Sequence, residues 1–257
     1  MSSCEVYLIN LDRSKDRLMA MDGHLKCFGI QYERVPATDA QTLSEEIYKT
    51  VTAPNIEYPH HLRPGEIACF LSHRFCWQKL VNSNNDWALI LEDHCEFSQL
   101  ADRYLKSTDW IPCNCELIQL NYSNLPVFSN QQIKLADGNV LVSLACSSPV
   151  GASAYFISRN AAKLALEESQ TVDSPVDNFL FGPWSNYSKK IPSWRMIGSV
   201  VKRAENTVTT IFGRGSKNKG KNKERLHPKR LAIKLGMEIR RVFLKKYFQY
   251  WFNESGS

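Results

Sequence analysis

The chain has 257 residues, 43% of them apolar and 23% charged, with a formal net charge of +6. That length supports one large domain with a core of its own, and the composition excludes a disordered or fibrous protein. The charge is unevenly placed: residues 213–257 carry 13 Lys+Arg against 3 Asp+Glu, which is +10 there and −4 over residues 1–212.

The opening MSSCEVYLINL has neither a basic n-region nor a long apolar h-region, so no secretory signal is read and a cytoplasmic protein is expected. The longest uncharged stretch, 140–157, is interrupted by Ser147, Ser148, Pro149, Gly151 and Ser153, which predicts two strands around a loop rather than a membrane span. Eight cysteines are scattered, and Cys113 and Cys115, the one close pair, lack a zinc-ribbon spacing. Reduced thiols without a catalytic role are expected.

In chain order, VYLINL (6–11) reads as a strand, SKDRLMAMDGHLKCFG as a helix ended by Gly29, and YERVPATDA as a second strand, a βαβ opening that predicts a parallel sheet. After a proline-marked loop, Pro64 starts a helix running to about Val81. ALILEDHCEF (88–97) follows, four apolar residues running into Glu92, Asp93 and His94. A buried strand ending in acids is a candidate metal or catalytic site, because ligands gather at strand ends in open α/β sheets. Leu100–Ser107 reads as a helix, 116–122 as a strand, 123–139 as a polar excursion, 140–146 and 152–158 as strands, and RNAAKLALEES as an amphipathic helix.

The composition changes at Gly213. GRGSKNKGKNKER has no apolar residue and reads as a flexible linker over 213–227. Residues 228–257 then place Leu231, Leu235, Ile239, Val242 and Tyr247 near one face and Lys234, Arg241 and Lys245 on another, a basic amphipathic tail suited to an anionic membrane surface rather than to nucleic acid. Residues 1–212 form the expected catalytic domain.

INLDRSKDR, RPGEIACFLSHRFCW, ALILEDH, GASAYFISRNAAKLAL and SPVDNFLF resemble, in order, the blocks of glycosyltransferase family 25, which includes lipooligosaccharide β-galactosyltransferases. The resemblance implies a type A glycosyltransferase fold, a UDP-hexose donor (usually UDP-galactose), inversion at the anomeric carbon, and a divalent metal, Mn2+ or Mg2+, on an acidic motif. It further implies a lipid-linked oligosaccharide acceptor and a place on the cytoplasmic face of the inner membrane. The family commonly has Glu-Asp-Asp where this chain has Glu92, Asp93 and His94.

Sugar transfer from a nucleoside diphosphate needs charge stabilisation on the departing diphosphate and a base for the acceptor hydroxyl. Asp93 and His94 are the expected metal ligands, and Glu92 and Asp177 the expected catalytic carboxylates. A carboxylate between a proline-led turn and an apolar run, as Asp177 is, is partly desolvated, which suits a base; the alternative is a cap on a short helix. Asn10, Arg13 and Arg17 follow the first strand, where nucleotides bind, and Arg17 could grip phosphate in a bidentate manner. Ala37 and Asp39, ending the second strand, would border uracil or ribose. His73 shares a helix face with Glu66, Cys69 and Trp77 and is expected near the donor. Competing readings are a nucleic-acid-binding protein, a catalytically inactive family member, and a collagen-type hydroxylysine galactosyltransferase.

Overall fold

The computed structural model describes residues 3–52, 62–144, 151–183, 185–204 and 228–251. The expected linker 213–227, the Pro149 loop and Phe252 lie outside them.

Strand β1 (Cys4–Asn10) leads through helix α1 (Lys15–Cys27) to β2 (Glu33–Pro36). The helix ends where Gly29 takes φ +65°, a conformation that needs no Cβ to be avoided. Helix α2 (Glu45–Val51) precedes α3 (Pro64–Asn82), whose first turn is closed by the Glu66 carboxylate accepting the Arg63 N–H at 2.8 Å. Strand β3 (Trp87–Glu92) pairs parallel with β1 on one side, and on the other antiparallel with β9 (Ala154–Ser158). Being central, it is covered on both faces, which is why Ala88–Leu91 is a continuous apolar run. Ala88 and Ile90 enter the core layer beneath α3, while Leu89 and Leu91 enter the layer beneath α1.

Between β3 and β9 lie β4 (Cys95–Phe97), α4 (Ala101–Tyr104), β5 (Leu117–Gln119), β6 (Val127–Ser129), β7 (Gln132–Lys134) and β8 (Val140–Ser143). Helix α4 is one turn, shorter than the expected 100–107, and the polar excursion carries two short strands. Helices α5 (Arg159–Glu168), α6 (Val176–Phe181) and α7 (Asn186–Lys190) then lead to β10 (Ser193–Met196), β11 (Gly198–Ser199) and β12 (Val201–Arg203). The eight-stranded sheet has the order β2-β1-β3-β9-β5-β10-β8-β7. Pairings on both sides of β9 and of β8 are antiparallel, so these two strands oppose the other six. This is the expected α/β architecture, a mostly parallel sheet with helices on its faces.

The C-terminal region divides in two. Helix α8 spans Pro228–Arg241, but β13 (Lys245–Tyr247) pairs antiparallel with β6, and β14 (Tyr250–Trp251) pairs parallel with β11. The single amphipathic tail read over 228–257 therefore divides at Arg241: past it the chain becomes extended and adds short strands to β6 and β11. Gly198 makes this possible, since a Cβ there would lie 2.6 Å from Asn139 Nδ2 and 2.7 Å from the Tyr250 hydroxyl. Asn139 cannot give way, because its Oδ1 accepts the Gly198 and Val140 amides at 2.9 and 2.8 Å. Gly198→Ala should therefore lower stability by about 1–3 kcal/mol, the scale of overpacking, seen as a reduced urea midpoint.

Candidate active site

A cleft of about 510 Å³ opens where β1, β2 and β3 end, and is closed by α3, the start of α6, residues 151–153, Asn121, Tyr122 and Arg203. It gathers every site residue expected from the sequence: Asn10, Arg13, Arg17, Ala37, Asp39, His73, Glu92, Asp93, His94 and Asp177.

Asn10 is the hub of the donor side and is 1% exposed. Its Nδ2 donates to Asp93 Oδ2 at 2.7 Å and to the Ser14 carbonyl at 3.0 Å, while its Oδ1 accepts from Arg34 Nε at 3.0 Å. Arg17 places one guanidinium nitrogen 3.0 Å from Asp93 Oδ1 and donates with another to Ser14 Oγ at 2.8 Å. Arg13 pairs with Asp39. The end of β2 is held from below, with the Ala37 amide on the Asn10 carbonyl at 2.9 Å and the Thr38 amide on Ser72 Oγ at 2.9 Å. Arg34 and Ser72 were not anticipated, since neither stands at a strand end or in an acidic run.

His73 is fully buried, with both ring nitrogens engaged inside the protein. Its Nδ1 lies 2.9 Å from the Tyr155 hydroxyl and its Nε2 3.1 Å from Glu92 Oε1. Trp77 Nε1, which can only donate, reaches the same hydroxyl at 2.9 Å. The Tyr155 proton is then directed to His73 Nδ1, so that Nε2–H donates to Glu92. His73, expected near the donor, thus lies at the cleft between Tyr155 and Glu92 and holds the Glu92 carboxylate in place.

Burial by itself raises the Glu92 pKa, but the His73 hydrogen bond, together with the neighbouring His94 and Arg203, more than offsets it, bringing the carboxyl down from 4.5 to about 2. A carboxylate held so acidic stays ionised near neutral pH, which suits it to binding a cation. Asp177, at the first turn of α6, accepts from the Asn178 amide at 2.8 Å and from its side chain at 3.0 Å with Oδ1.

The divalent metal implied by the resemblance can be tested against this donor set. Asp93, 8% exposed, has one partner on each oxygen, Asn10 on Oδ2 and the Arg17 cation on Oδ1. His94 turns its Nδ1 to within 3.4 Å of Glu92 Oε2. Glu92 and His94 thus form the pair that fits a divalent cation, one anionic oxygen and one imidazole. The charge of the cleft agrees: five carboxylates (Asp39, Glu66, Glu92, Asp93, Asp177) face three guanidinium groups (Arg13, Arg17, Arg203). Cys69 Sγ is a further neighbour, 4.0 Å from Glu92 Oε1, and with His73 and Glu92 it forms a compact group of possible ligands among the described residues. In a manganese titration, Glu92→Gln and His94→Ala should each weaken binding by about tenfold or more, and Asp93→Asn by much less. A larger loss for Asp93→Asn than for His94→Ala would return the ligand role to Asp93.

A sequence model described as glycosyltransferase family 25 (LPS biosynthesis protein) matches residues 3–180. The chain is 28% identical over 213 residues to a glycosyltransferase 25 family member of Aedes aegypti, covering 76% of this chain and 33% of that one. It is 30% identical over 196 residues to procollagen galactosyltransferase 1-A of Xenopus laevis, covering 70% and 31%. It is also 29% identical over 137 residues to the lipooligosaccharide biosynthesis protein lex-1 of Haemophilus influenzae, covering 49% and 45%. The chain thus spans about a third of the length of the first two relatives and under half of the third. With the match extending from β1 through nearly all of α6, the chain belongs to glycosyltransferase family 25.

Proposed function

We propose that the chain is an inverting glycosyltransferase that moves a hexose, galactose from UDP-galactose, onto a lipooligosaccharide or related surface glycan. The observation that carries the reading is the cleft itself: a guanidinium-bearing pocket at the ends of β1–β3, the place where α/β sheets take nucleotides, with Asp177 of α6 in its lining. The printed names of relatives support the chemistry at both ends, since one is a galactosyltransferase and another a lipooligosaccharide biosynthesis protein.

In this reading Arg17, fixed by Asp93 and Ser14, offers its donors to the diphosphate, and Arg13 and Arg203 add positive charge around it. Asn10 and the Ala37–Asp39 segment border the nucleoside. A divalent ion on Glu92 and His94, when bound, supplies Lewis-acid neutralisation of the leaving diphosphate. Asp177, outside the carboxylate network of Glu92 and Asp93, takes the proton from the acceptor hydroxyl.

The test is a donor and acceptor screen: nucleoside diphosphate release from several nucleotide sugars, with and without manganese, against glucose- and galactose-terminated oligosaccharides and a hydroxylysine-containing collagen peptide. Acceptor-stimulated release from UDP-galactose supports the reading, and the acceptor that responds separates the glycan role from the collagen type suggested by the procollagen relatives. Failure to consume or bind any nucleotide sugar sinks it, leaving an inactive family member. Within the reading, Asp177→Asn should cut turnover by about two orders of magnitude or more with donor affinity nearly kept.

We further assign helix α8 and the turn after it to an anionic membrane surface on the cytoplasmic face. No helix among the described residues is long and apolar enough to cross a membrane. The exposed apolar side chains Leu235, Ile239, Val242, Phe243 and Phe248 stand beside Arg240, Lys245 and Lys246, the pairing that lies in a lipid interface. Each basic residue contributes about 1 kcal/mol near an anionic leaflet. Val242→Glu with Phe243→Glu should lower binding to phosphatidylserine vesicles by about tenfold or more, and high salt should lower it in the wild type. Tighter binding to duplex DNA than to vesicles at matched salt would replace the lipid partner by nucleic acid.

A further inference from the structure

Gln249 lies beyond residues 3–180, which the family shares, and is 9% exposed. Its Nε2 donates to the Asn121 carbonyl at 3.0 Å and to the Met196 carbonyl at 2.9 Å, and its Oε1 accepts the Ser123 amide at 2.9 Å. The side-chain amide therefore does for residues 121–123 what a neighbouring strand would do, satisfying one carbonyl and one N–H two residues apart. It is itself fixed by the pairing of Tyr250 and Trp251 with β11 and by the Tyr250 amide on the Ile197 carbonyl at 3.2 Å.

The segment so held is a wall of the cleft. Asn121 and Tyr122 line it, and Asn121 is bonded onward: its Nδ2 donates to Ser153 Oγ, and its Oδ1 accepts the Ala154 amide at 3.1 Å. The Ser153 carbonyl in turn accepts the Glu92 amide at 2.8 Å. A continuous run of hydrogen bonds thus joins the C-terminal strand to the acidic motif. By sheet order the nucleotide side is β2-β1-β3, and Asn121 lies past β9 on the opposite side, where the acceptor must approach.

We propose that Gln249 is a positioning residue for the acceptor half of the cleft, holding the Asn121–Ser123 backbone so that Asn121 and Tyr122 meet the incoming sugar. The proposal rests on the glycosyl-transfer reading and deepens it: the acceptor site is completed by the segment that follows the membrane-facing helix, so acceptor recognition and C-terminal docking depend on one another. Loss of Gln249 removes the side-chain partner of three backbone groups, the Asn121 and Met196 carbonyls and the Ser123 amide, and loosens Asn121, without touching Asn10, Arg17 or Glu92 directly.

The test uses the full chain with Gln249→Leu, Asn121→Ala and the double variant. Three measurements are taken: UDP affinity by calorimetry, UDP release from UDP-galactose with glucose- and galactose-terminated oligosaccharides, and amide exchange. Gln249→Leu should speed exchange at residues 121–123 and raise acceptor KM by about tenfold with UDP affinity held within about twofold. It should add little in the Asn121→Ala background, because both act through the same contact. Gln249→Glu, which keeps the Ser123 bond but sets an oxygen against two carbonyls, is read in the same way if Gln249→Leu does not fold. Unchanged exchange at 121–123, additive effects of the two substitutions, or equal losses of UDP affinity and acceptor KM would each overturn the proposal. A wild-type chain that does not bind UDP condemns the parent reading instead, and the exchange result then still decides whether Gln249 holds the wall.

Discussion

The cleft depends on one buried carboxylate. Asp93 is 8% exposed and unites three elements: its own strand end, Asn10 at the end of β1, and Arg17 in the first turns of α1. A buried anion of this kind is tolerated only when its oxygens are fully engaged, and here a neutral amide and a guanidinium meet that requirement. The consequence is geometric. With Asp93 turned toward β1 and α1, Glu92 and His94 are left to face each other, and Arg17 is fixed at the place where a diphosphate would be met.

A second requirement follows from the first. Glu92 next to Asp93 places two carboxylates in adjacent positions, and each needs its own countercharge or donor. His73 supplies it from α3, and the burial of His73 is in turn satisfied by Tyr155, which is satisfied by Trp77. The apolar helix face on which His73 sits is therefore both core and support: Phe70 and Trp77 pack against Phe179 of α6 at ring separations of 5.1 and 5.7 Å, which also fixes the helix that presents Asp177. Stability and site geometry are set by the same contacts, so a cavity-forming substitution at Trp77 or Phe179 would displace groups on both sides of the cleft.

What was legible in the sequence follows from what is local. The opening βαβ unit, the α3 start at Pro64 and the continuous apolar run of β3 carry their signals within ten to twenty residues, and the strand-end rule then located Asn10, Ala37, Asp39 and the acidic motif. Which way each acid turns was not legible, because it depends on partners far away in sequence: Asn10 for Asp93, and His73 for Glu92. Short strands such as β6 and β7 were missed because three residues give no periodicity.

The C-terminal region shows how composition can hide a division of labour. Its basic and aromatic residues form one class by composition, yet Arg240, Phe243, Lys245, Lys246, Phe248 and Tyr250 are exposed while Gln249 between the last two is buried among backbone groups. A polar residue flanked by Phe248 and Tyr250 is an unremarkable surface residue in a helical reading and an obligate interior one in an extended reading, because period two sends it to the opposite side from its neighbours. The extended form brings Gln249 onto the Asn121 and Met196 carbonyls and the Ser123 amide, and the Tyr250 amide onto the Ile197 carbonyl. The site expected to end before residue 213 therefore draws a supporting group from residue 249, and the domain is closed by the last strand that the structure describes.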